Sequence, residues 1–393
     1  MADYILNTWY VAAWSDEVTN KPIRKMICEQ SIVLYRISDD QAKALADRCA
    51  HRAFPLSKGR MLGDSIECGY HGFIYGPDGR CTKVPGQTTL PERAVVRSYP
   101  LHEKDGWIWV WMGDDPADAD PSDIPDTHWM NDPNWASVEH SLQVDCRAEL
   151  VHDNLLDLTH ESFLHKTTVG DDYIYEYGIT VEVDDNVVLV DRLMPSVPAP
   201  PLYADTMGID GNWDRFHATE FFVPNNLTLH SGITAEGAPR DEGYLIKVLN
   251  AITPIDAHTC WYYYSFARNF AVDNVEATEQ LREGLGLVLE EDKDALEAQE
   301  LGMQTRPGQE FDVLIAQDGG VAKARRIHQA LLKKEAKERE AKEPRRPGAP
   351  ANTKPIGAAA RRQAQKAAAA GAGRSAAEST TSAEAMGTAA GGR

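Results

Sequence analysis

The sequence lacks any apolar run near the roughly 18 residues that a membrane-spanning helix needs. It also lacks a secretory signal, because no cationic segment precedes an apolar stretch in residues 1–16, where Asp3 and Asn7 interrupt the apolar residues. These absences argue against export and against a membrane partner. We therefore expect a cytoplasmic protein.

An excess of positive charge and a dense set of cysteines are also missing. The formal net charge is −20, whereas nucleic-acid binding depends on Lys and Arg side chains that neutralise phosphates, so no nucleic-acid partner is expected. The six cysteines lie far apart in a chain without an export signal, where disulfides do not persist. The sequence therefore predicts reduced thiols, some of them metal ligands.

Composition and patterning divide the chain into three parts. Short β-type runs and turn signals fill residues 1–115, which predicts a small all-β domain. Residues 116–330 combine helical periodicity at 149–165 and 276–301 with several β-type segments, which predicts an α+β domain whose helices pack on one face of a sheet. Residues 331–393 hold 13 Lys and Arg against 6 Asp and Glu and few large apolar side chains, so we expect a charged helical extension and a disordered tail.

The most specific motif is Cys49-x-His51, followed after sixteen residues by Cys68-x2-His71. Two Cys and two His on separate loops are the ligands of a Rieske 2Fe-2S cluster, in which imidazoles replace two thiolates and raise the reduction potential. A zinc site is the alternative, since it uses the same side chains. Zinc sites usually pair Cys with Cys and His with His, so the mixed pairs favour the Rieske cluster.

A second motif, DNLLDLTHESFLH from Asp153, supplies His160 and His165. Two imidazoles and one carboxylate form the facial triad by which non-haem Fe(II) oxygenases hold iron. On a regular helix these histidines would lie about 140° apart, so they cannot both reach one metal unless the helix is interrupted. We predict an irregularity between them, such as a π-bulge.

The third ligand must come from elsewhere, and the predicted helix at 276–301 offers four candidates, which are Glu291, Asp292, Asp294 and Glu297. Asp292 falls in the middle of the apolar stripe of that helix, whereas Asp294 falls on the opposite face. A carboxylate directed into a core is costly unless it is paired or bound to a metal, so Asp292 is the predicted iron ligand. The alternative for Asp292 is a buried salt bridge.

Asp157 and Asn154 precede His160 by one and two helical turns. On the same face as His160, the Asp157 carboxylate is placed to orient a metal-bound imidazole, and the Asn154 amide is a second catalytic candidate. The alternative for both is a solvent-facing position, which is more common for polar residues of helices.

The order of the two motifs resembles the Rieske non-haem iron oxygenases, and further segments are similar to the oxygenase subunits of vanillate O-demethylases. The likeness covers roughly residues 5–330, where these segments are NTWYVA from Asn7, VPGQ from Val84, DNLLDLTH from Asp153, MPSVPAPPL from Met194, ARNF from Ala267 and QDGGV from Gln317.

The resemblance implies an N-terminal all-β Rieske domain, a helix-grip-like catalytic domain with an antiparallel sheet, and a ring-shaped homotrimer. It implies a 2Fe-2S cluster, a mononuclear Fe(II), dioxygen, and an NAD(P)H-dependent flavin and iron-sulfur reductase as partner. Asp157 would link His71 of one subunit to His160 of the next. The substrate would be a small methoxylated aromatic acid such as vanillate, demethylated to formaldehyde and a phenol, with His230 and Asn250 as candidate substrate contacts.

Two other functions stay open at this point. One is a Rieske monooxygenase that acts on another aromatic compound by N-demethylation or by methyl or ring hydroxylation, because the ligands define the oxygen chemistry while the pocket defines the substrate. The other is a Rieske electron carrier whose second domain only binds a partner, which leaves Asp292 without a role.

Overall fold

Short antiparallel strands joined by turns build the N-terminal region, as the turn-rich sequence predicts. The computed structural model describes residues 4–166, 171–305 and 313–342. The strands of the N-terminal region are β1 (Trp9–Trp14), β2 (Ile23–Ile27), β3 (Gln30–Arg36), β4 (Ala42–Ala46), β5 (Arg60–Leu62), β6 (Ser65–Glu67), β7 (Ile74–Tyr75), β8 (Cys81–Lys83), β9 (Ser98–Tyr99), β10 (Leu101–Lys104) and β11 (Trp107–Trp111). They form sheets in the orders β1-β11-β10, β2-β3-β4-β9 and β5-β6-β7-β8.

One large antiparallel sheet, ordered β12-β18-β17-β16-β15-β14-β13, dominates the rest of the chain. Its strands are β12 (Ala136–Val144), β13 (Thr180–Asp184), β14 (Val187–Pro198), β15 (Asn212–Phe222), β16 (Asn226–Thr234), β17 (Tyr244–Asp256) and β18 (Thr259–Arg268). The helices are α1 (Ala148–Leu156), α2 (Glu161–Leu164), α3 (Pro201–Met207), α4 (Val275–Gln304) and α5 (Gly319–Lys342). The predicted fold class, an N-terminal all-β domain followed by an α+β domain with an antiparallel sheet, is confirmed.

Both faces of the large sheet are buried, but against different partners. On one face, side chains of α1 and α4 such as Val151 and Leu289 pack with sheet residues such as Phe221. On the other face, Leu249 and Ala251 of β17 pack against tryptophans of the N-terminal region. We call the first the helix face and the second the tryptophan face. Helices therefore cover one face, as expected, and the N-terminal domain covers the other.

The predicted charged extension is the second half of α5. This helix runs to Lys342, and the carboxylate of Glu335 accepts hydrogen bonds from the backbone N–H groups of Leu6 and Asn7 at 2.9 and 2.8 Å. The start of the extension is thus attached to the body of the protein, which forms one compact unit to Lys337, and a second unit begins at Glu338. The predicted disordered tail falls mostly on residues 343–393, which lie outside the described residues.

None of the helices in the described parts of the chain is both long and apolar enough to span a membrane.

A buried ionic cluster holds α4 to the start of α1. Glu300, which is 1% exposed, accepts hydrogen bonds from Arg147 at 2.7 and 2.8 Å, and His258 Nδ1 lies 2.8 Å from its Oε1. Burial alone would raise the pKa of Glu300, but the hydrogen bonds from Arg147, Gln304 and His258 together outweigh it and lower the pKa to about 2. Glu300 is therefore expected to stay ionised at neutral pH.

We expect Glu300→Gln to lower the free energy of unfolding at pH 7 by about 3 kcal/mol, because Arg147 loses its buried counter-charge. A carboxylate with a depressed pKa stabilises the fold above its ordinary pKa, and this contribution is lost as the pH falls towards the folded value. The difference between variant and wild type should therefore shrink between about pH 5 and pH 3. Urea denaturation across that range measures it, with the half-buried Glu297→Gln as control. A difference that does not change with pH would contradict the ionic role.

Candidate functional site

The two Cys-His pairs lie on neighbouring loops at one end of the N-terminal domain. Cys49 follows β4 and Cys68 follows β6, and both cysteines are 2% exposed. His51 and His71 are exposed, and their ring centroids lie 4.6 Å apart. The structure thus brings all four predicted ligands together, with buried thiols on the inside and imidazoles at the surface, where an electron can enter or leave.

Backbone groups of the same loops approach the sulfur atoms. Burial raises the pKa of the Cys68 thiol, whereas the amides of Tyr70 and His71, which donate towards its sulfur, lower it. The Tyr75 hydroxyl lies 3.2 Å from Cys49 Sγ. A Cβ at Gly69 would lie 2.8 Å from the Lys58 carbonyl oxygen, so only glycine permits this close approach of the loops.

The helix that carries the second motif is interrupted, as predicted, although not by a π-bulge. Helix α1 ends at Leu156, and Asp157 leaves the helical conformation with φ −120° and ψ 87°. A 3-10 turn then spans Leu158–His160, and α2 supplies one further turn before His165. This path brings the ring centroids of His160 and His165 to 5.2 Å.

His160, His165 and Asp292 form one cluster of candidate metal ligands. One ligand atom from each lies within 4.8 Å of the others. Asp292 Oδ1 is 3.6 Å from His160 Nε2 and 3.1 Å from His165 Nε2. Asp292 is 5% exposed and Asp294 is exposed, so the helical periodicity identified the inward-facing acid correctly.

The chemistry of this donor set fits a divalent metal ion. No Lys or Arg nitrogen among the described residues lies within 4.0 Å of the Asp292 carboxylate, so a buried salt bridge would have to use His160 or His165, the two predicted metal ligands themselves. A buried carboxylate that faces two imidazole nitrogens is costly without a shared cation. Two His and one carboxylate are the ligands typical of non-haem iron.

Hydrogen bonds from the opposite ring nitrogens orient both histidines. His165 Nδ1 lies 2.7 Å from Glu291 Oε2, and His160 Nδ1 lies 2.7 Å from the Asp157 carbonyl oxygen. These acceptors place the ring proton on Nδ1, which leaves the Nε2 lone pair directed at the metal position. The sequence analysis did not predict this role of Glu291. The one available signal was that Glu291 directly precedes the predicted ligand Asp292.

The other two predicted residues, Asn154 and Asp157, make different contacts: one holds a metal ligand and the other caps a turn. Asn154 Nδ2 donates to Asp292 Oδ1 at 3.0 Å, so this amide orients the carboxylate of the cluster. The Asp157 carboxylate accepts from the backbone N–H and the hydroxyl of Thr159 at 3.0 and 2.6 Å and caps the 3-10 turn. The prediction that the Asp157 carboxylate orients His160 within one chain is therefore wrong. At the break in the helix, the backbone carbonyl of Asp157 lies beside His160 Nδ1 in place of the carboxylate.

Removing the acceptor on His165 should weaken metal binding. We expect Glu291→Ala to lower Fe(II) affinity about 10- to 100-fold, since partners of this kind contribute that much to metal affinity, and Glu291→Gln to lower it less because the amide oxygen still accepts from Nδ1. Anaerobic competition with a chromogenic chelator measures the affinity. The exposed neighbour Glu290→Ala is the matched control. Unchanged affinity in Glu291→Ala would contradict the orienting role.

Only one of the two predicted substrate residues lies on the helix face. Asn250 is 3% exposed, and its Oδ1 accepts from the Tyr262 hydroxyl, within the core that α1 and α4 cover. His230 pairs across the sheet with Lys247, and its ring centroid lies 6.4 Å from that of Trp129, on the tryptophan face. His230 is therefore directed away from the metal cluster, and its prediction as a substrate contact is corrected.

Comparison with known proteins agrees with both sites. Residues 8–100 match the Rieske [2Fe-2S] domain, and residues 144–334 match the vanillate O-demethylase oxygenase C-terminal domain. The zinc alternative for the Cys-His pairs is therefore excluded.

Several relatives match this chain over nearly all of their own length. The vanillate O-demethylase oxygenase subunit of Pseudomonas sp. (strain HR199 / DSM 7063) is 34% identical, over 83% of this chain and 94% of the relative. An iron-sulfur subunit of the toluene-4-sulfonate monooxygenase system of Comamonas testosteroni is 32% identical, over 84% of this chain and 98% of the relative. Dicamba monooxygenase bound to 3,6-dichlorosalicylic acid superposes with a TM-score of 0.80 at 30% identity, over 85% of this chain and 99% of that one.

The chain belongs to the Rieske non-haem iron oxygenases, in the branch of aromatic demethylases and monooxygenases that includes vanillate O-demethylase oxygenase subunits. Another structure of dicamba monooxygenase, with a TM-score of 0.75 at 28% identity over 86% of this chain and all of that one, contains non-haem iron. The cofactors of this chain are accordingly a 2Fe-2S Rieske cluster and a mononuclear iron, and the Rieske electron-carrier alternative is excluded.

Proposed function

We propose that this chain hydroxylates the methoxy carbon of vanillate or a similar methoxybenzoate. The observation that carries the proposal is the cluster of His160, His165 and Asp292 on the helix-covered side of the sheet. The relatives of the chain include O-demethylases of vanillate and dicamba. Hydroxylation of the methoxy carbon consumes one dioxygen, two electrons from NAD(P)H by way of the reductase and two protons, and it yields a hemiacetal and one water. The hemiacetal then collapses to formaldehyde and a phenol, which is protocatechuate when vanillate is the substrate.

The residues of this chain divide the work of that reaction. The two iron centres supply electron storage and dioxygen activation when bound. Glu291 and the Asp157 carbonyl keep the His160 and His165 rings in one tautomer, and Asn154 holds the Asp292 carboxylate. Burial of His165 and Asp292, at 1% and 5% exposure, limits the access of water to the ligand set.

The proposal includes a redox partner and an assembly. A separate NAD(P)H-dependent flavin and iron-sulfur reductase would deliver electrons at the exposed His51 and His71 edge of the Rieske loops. In a homotrimer, the Asp157 carboxylate would accept from His71 of a neighbouring copy, and the backbone carbonyl of the same residue would complete the link to His160. The carboxylate lies at the break after α1 and is half-buried, which leaves it accessible to a neighbouring subunit.

A second reaction has specific support. The relative from the toluene-4-sulfonate monooxygenase system supports monooxygenation of an aromatic anion, such as hydroxylation of a methyl group, as the competitor to O-demethylation.

Formaldehyde released per NADH consumed, measured with a surrogate reductase across a panel of methoxybenzoates, separates these two functions. We expect close to one formaldehyde per NADH with at least one methoxybenzoate. Coupled turnover of 4-methylbenzenesulfonate without formaldehyde release from any methoxy compound would overturn the demethylase assignment.

A further inference from the structure

Three buried polar groups on the helix face each carry a donor that makes no hydrogen bond within the described residues. They are Arg192 Nε on β14, His217 Nδ1 on β15 and the Tyr203 hydroxyl on α3. The Ser231 side chain hydrogen-bonds the Tyr203 oxygen in a way that lowers its pKa, so Ser231 is the donor and the proton of Tyr203 stays available. Arg192 and His217 are directly opposite each other in the β14-β15 register. We call these three side chains the donor cluster.

Arg192 is a buried cation that forms no ion pair within the described residues. It is 4% exposed, its Nη2 donates to the neutral Gln317 amide oxygen at 3.2 Å, and no carboxylate among the described residues lies within 4.0 Å of its guanidinium. Burial of an unpaired charge costs several kcal/mol and is seldom retained for stability alone. An anion bound at Nε would supply the missing partner.

The hydrogen bond of His217 defines which of its nitrogens is a donor. Arg215 Nε donates to His217 Nε2 at 3.3 Å, so Nε2 carries no proton. Burial lowers the pKa of His217 well below its ordinary value, and the charges of Arg215 and Arg192 lower it further, so the ring is neutral. The single proton must then lie on Nδ1, the nitrogen without a partner. Arg215 itself is ion-paired with Asp171.

Tyr203 is the third potential donor. Its side chain is 3% exposed, and burial raises the pKa of its hydroxyl, which therefore stays protonated at neutral pH. Arg192 Nε, His217 Nδ1 and the Tyr203 hydroxyl can thus each donate a hydrogen bond, and the first two cannot accept one. Such a set binds an acceptor that carries negative charge.

The donor cluster is next to the segment that carries the metal ligands. Asp171, the ion-pair partner of Arg215, accepts a hydrogen bond through its backbone carbonyl from the hydroxyl of Ser162, a residue of the segment between the two metal-binding histidines. Arg192 is within reach of both Asp157 and Glu161. The cluster and the candidate iron site therefore belong to one continuous region of the helix face.

We propose that Arg192, His217 and Tyr203 bind the acidic group of the aromatic substrate and so direct its methoxy end towards His160, His165 and Asp292. The inference rests on the proposed function for its substrate and adds the residues that recognise it. A carboxylate and a sulfonate share the required chemistry, since both present several oxygen acceptors with one negative charge.

Equilibrium binding to the full-length holoprotein under anaerobic conditions tests the proposal without turnover. The probes are vanillate, its neutral amide and 4-methylbenzenesulfonate. Wild type should bind vanillate more tightly than the amide, and Arg192→Met should lose about 10- to 100-fold in affinity for vanillate, the value of a hydrogen bond between charged groups, with little change for the amide. Sulfonate binding that falls in parallel would show that charge rather than carboxylate shape is recognised. If the affinity for the sulfonate does not fall in Arg192→Met, the donor cluster binds carboxylates only, and the part of the proposal that extends it to sulfonates is refuted.

Two further variants separate this role from a structural one. Tyr203→Phe removes only a hydroxyl, and it should lose about tenfold for vanillate and nothing for the amide. Arg240→Met is the matched control, because Arg240 pairs with Asp191, the residue next to Arg192, and is itself exposed. The melting temperature of Arg192→Met should not fall, because an apolar replacement of an unpaired buried charge is neutral or stabilising.

The results that overturn the subsite differ from those that overturn the demethylase. Equal affinity of wild type for vanillate and its amide, or an unchanged preference in both Arg192→Met and Tyr203→Phe, would refute the donor cluster as an anion site. If Arg192→Met does not fold, Tyr203→Phe alone decides. A preference for the anion that depends on the cluster, without formaldehyde release from any methoxybenzoate, would refute the demethylase and leave the anion site standing.

Discussion

Replacement of Asp292 by alanine should reduce formaldehyde release by about three orders of magnitude or more, because a metal centre contributes several kcal/mol of transition-state stabilisation. Asp292 is the only carboxylate in the described cluster that faces both His160 Nε2 and His165 Nε2. Its loss should also remove about one iron per chain while the visible and EPR spectra of the Rieske cluster persist. Turnover of methoxybenzoate with a surrogate reductase, together with iron analysis, measures both effects.

The same helix offers a matched control for this variant. Asp294 is two residues further along α4 and exposed, so Asp294→Ala should retain iron and turnover. An Asp292→Ala protein that demethylates at a rate near that of wild type would refute the ligand assignment. Equal losses in Asp292→Ala and Asp294→Ala would indicate a general disturbance of α4 instead.

Replacement of Cys68 by alanine should eliminate turnover through the other centre. Cys68 is one of only two thiols in the Cys-His pairs, and without it one iron of the cluster loses a thiolate ligand. We expect the Rieske absorption and EPR signal to disappear and reductase-coupled turnover to fall below detection. Iron bound at His160, His165 and Asp292 should remain, since these ligands lie in the other domain.

Cys81 provides the comparison for Cys68. It is buried in the same hydrophobic cluster as Cys49 and Cys68, but no histidine stands beside it at ligand spacing. Cys81→Ala should therefore keep the cluster and its spectrum. A Cys68→Ala protein with an intact Rieske signal would contradict the assignment of the Cys-His pairs.

The features that the sequence alone predicts well are local. The Cys-His pairs depend on spacing within two short loops, and the inward position of Asp292 follows from the periodicity of one amphipathic helix. The break between His160 and His165 was also predictable, because a regular helix cannot direct both rings at one metal. The form of this break was not predicted. It is a 3-10 turn that the Asp157 carboxylate caps through its contact with Thr159.

The features that were missed depend on contacts between distant segments. His230 lies on the tryptophan face, which the sequence did not predict. Strand β16 is buried on both sides, so the alternation of apolar and polar residues does not show which of its faces carries the site. The role of Glu291 depends on His165, which is distant in sequence. The donor cluster depends on the β14-β15 register, which sets Arg192 opposite His217.

Two different iron centres must coexist in one chain for the proposed reaction to take place. Anaerobic analysis of iron and acid-labile sulfide in the purified protein tests this directly. A Rieske cluster and a mononuclear site predict about three irons and two sulfides per chain. About two irons with two sulfides in a fully loaded sample, unchanged by Asp292→Ala, would contradict a metal site at His160, His165 and Asp292.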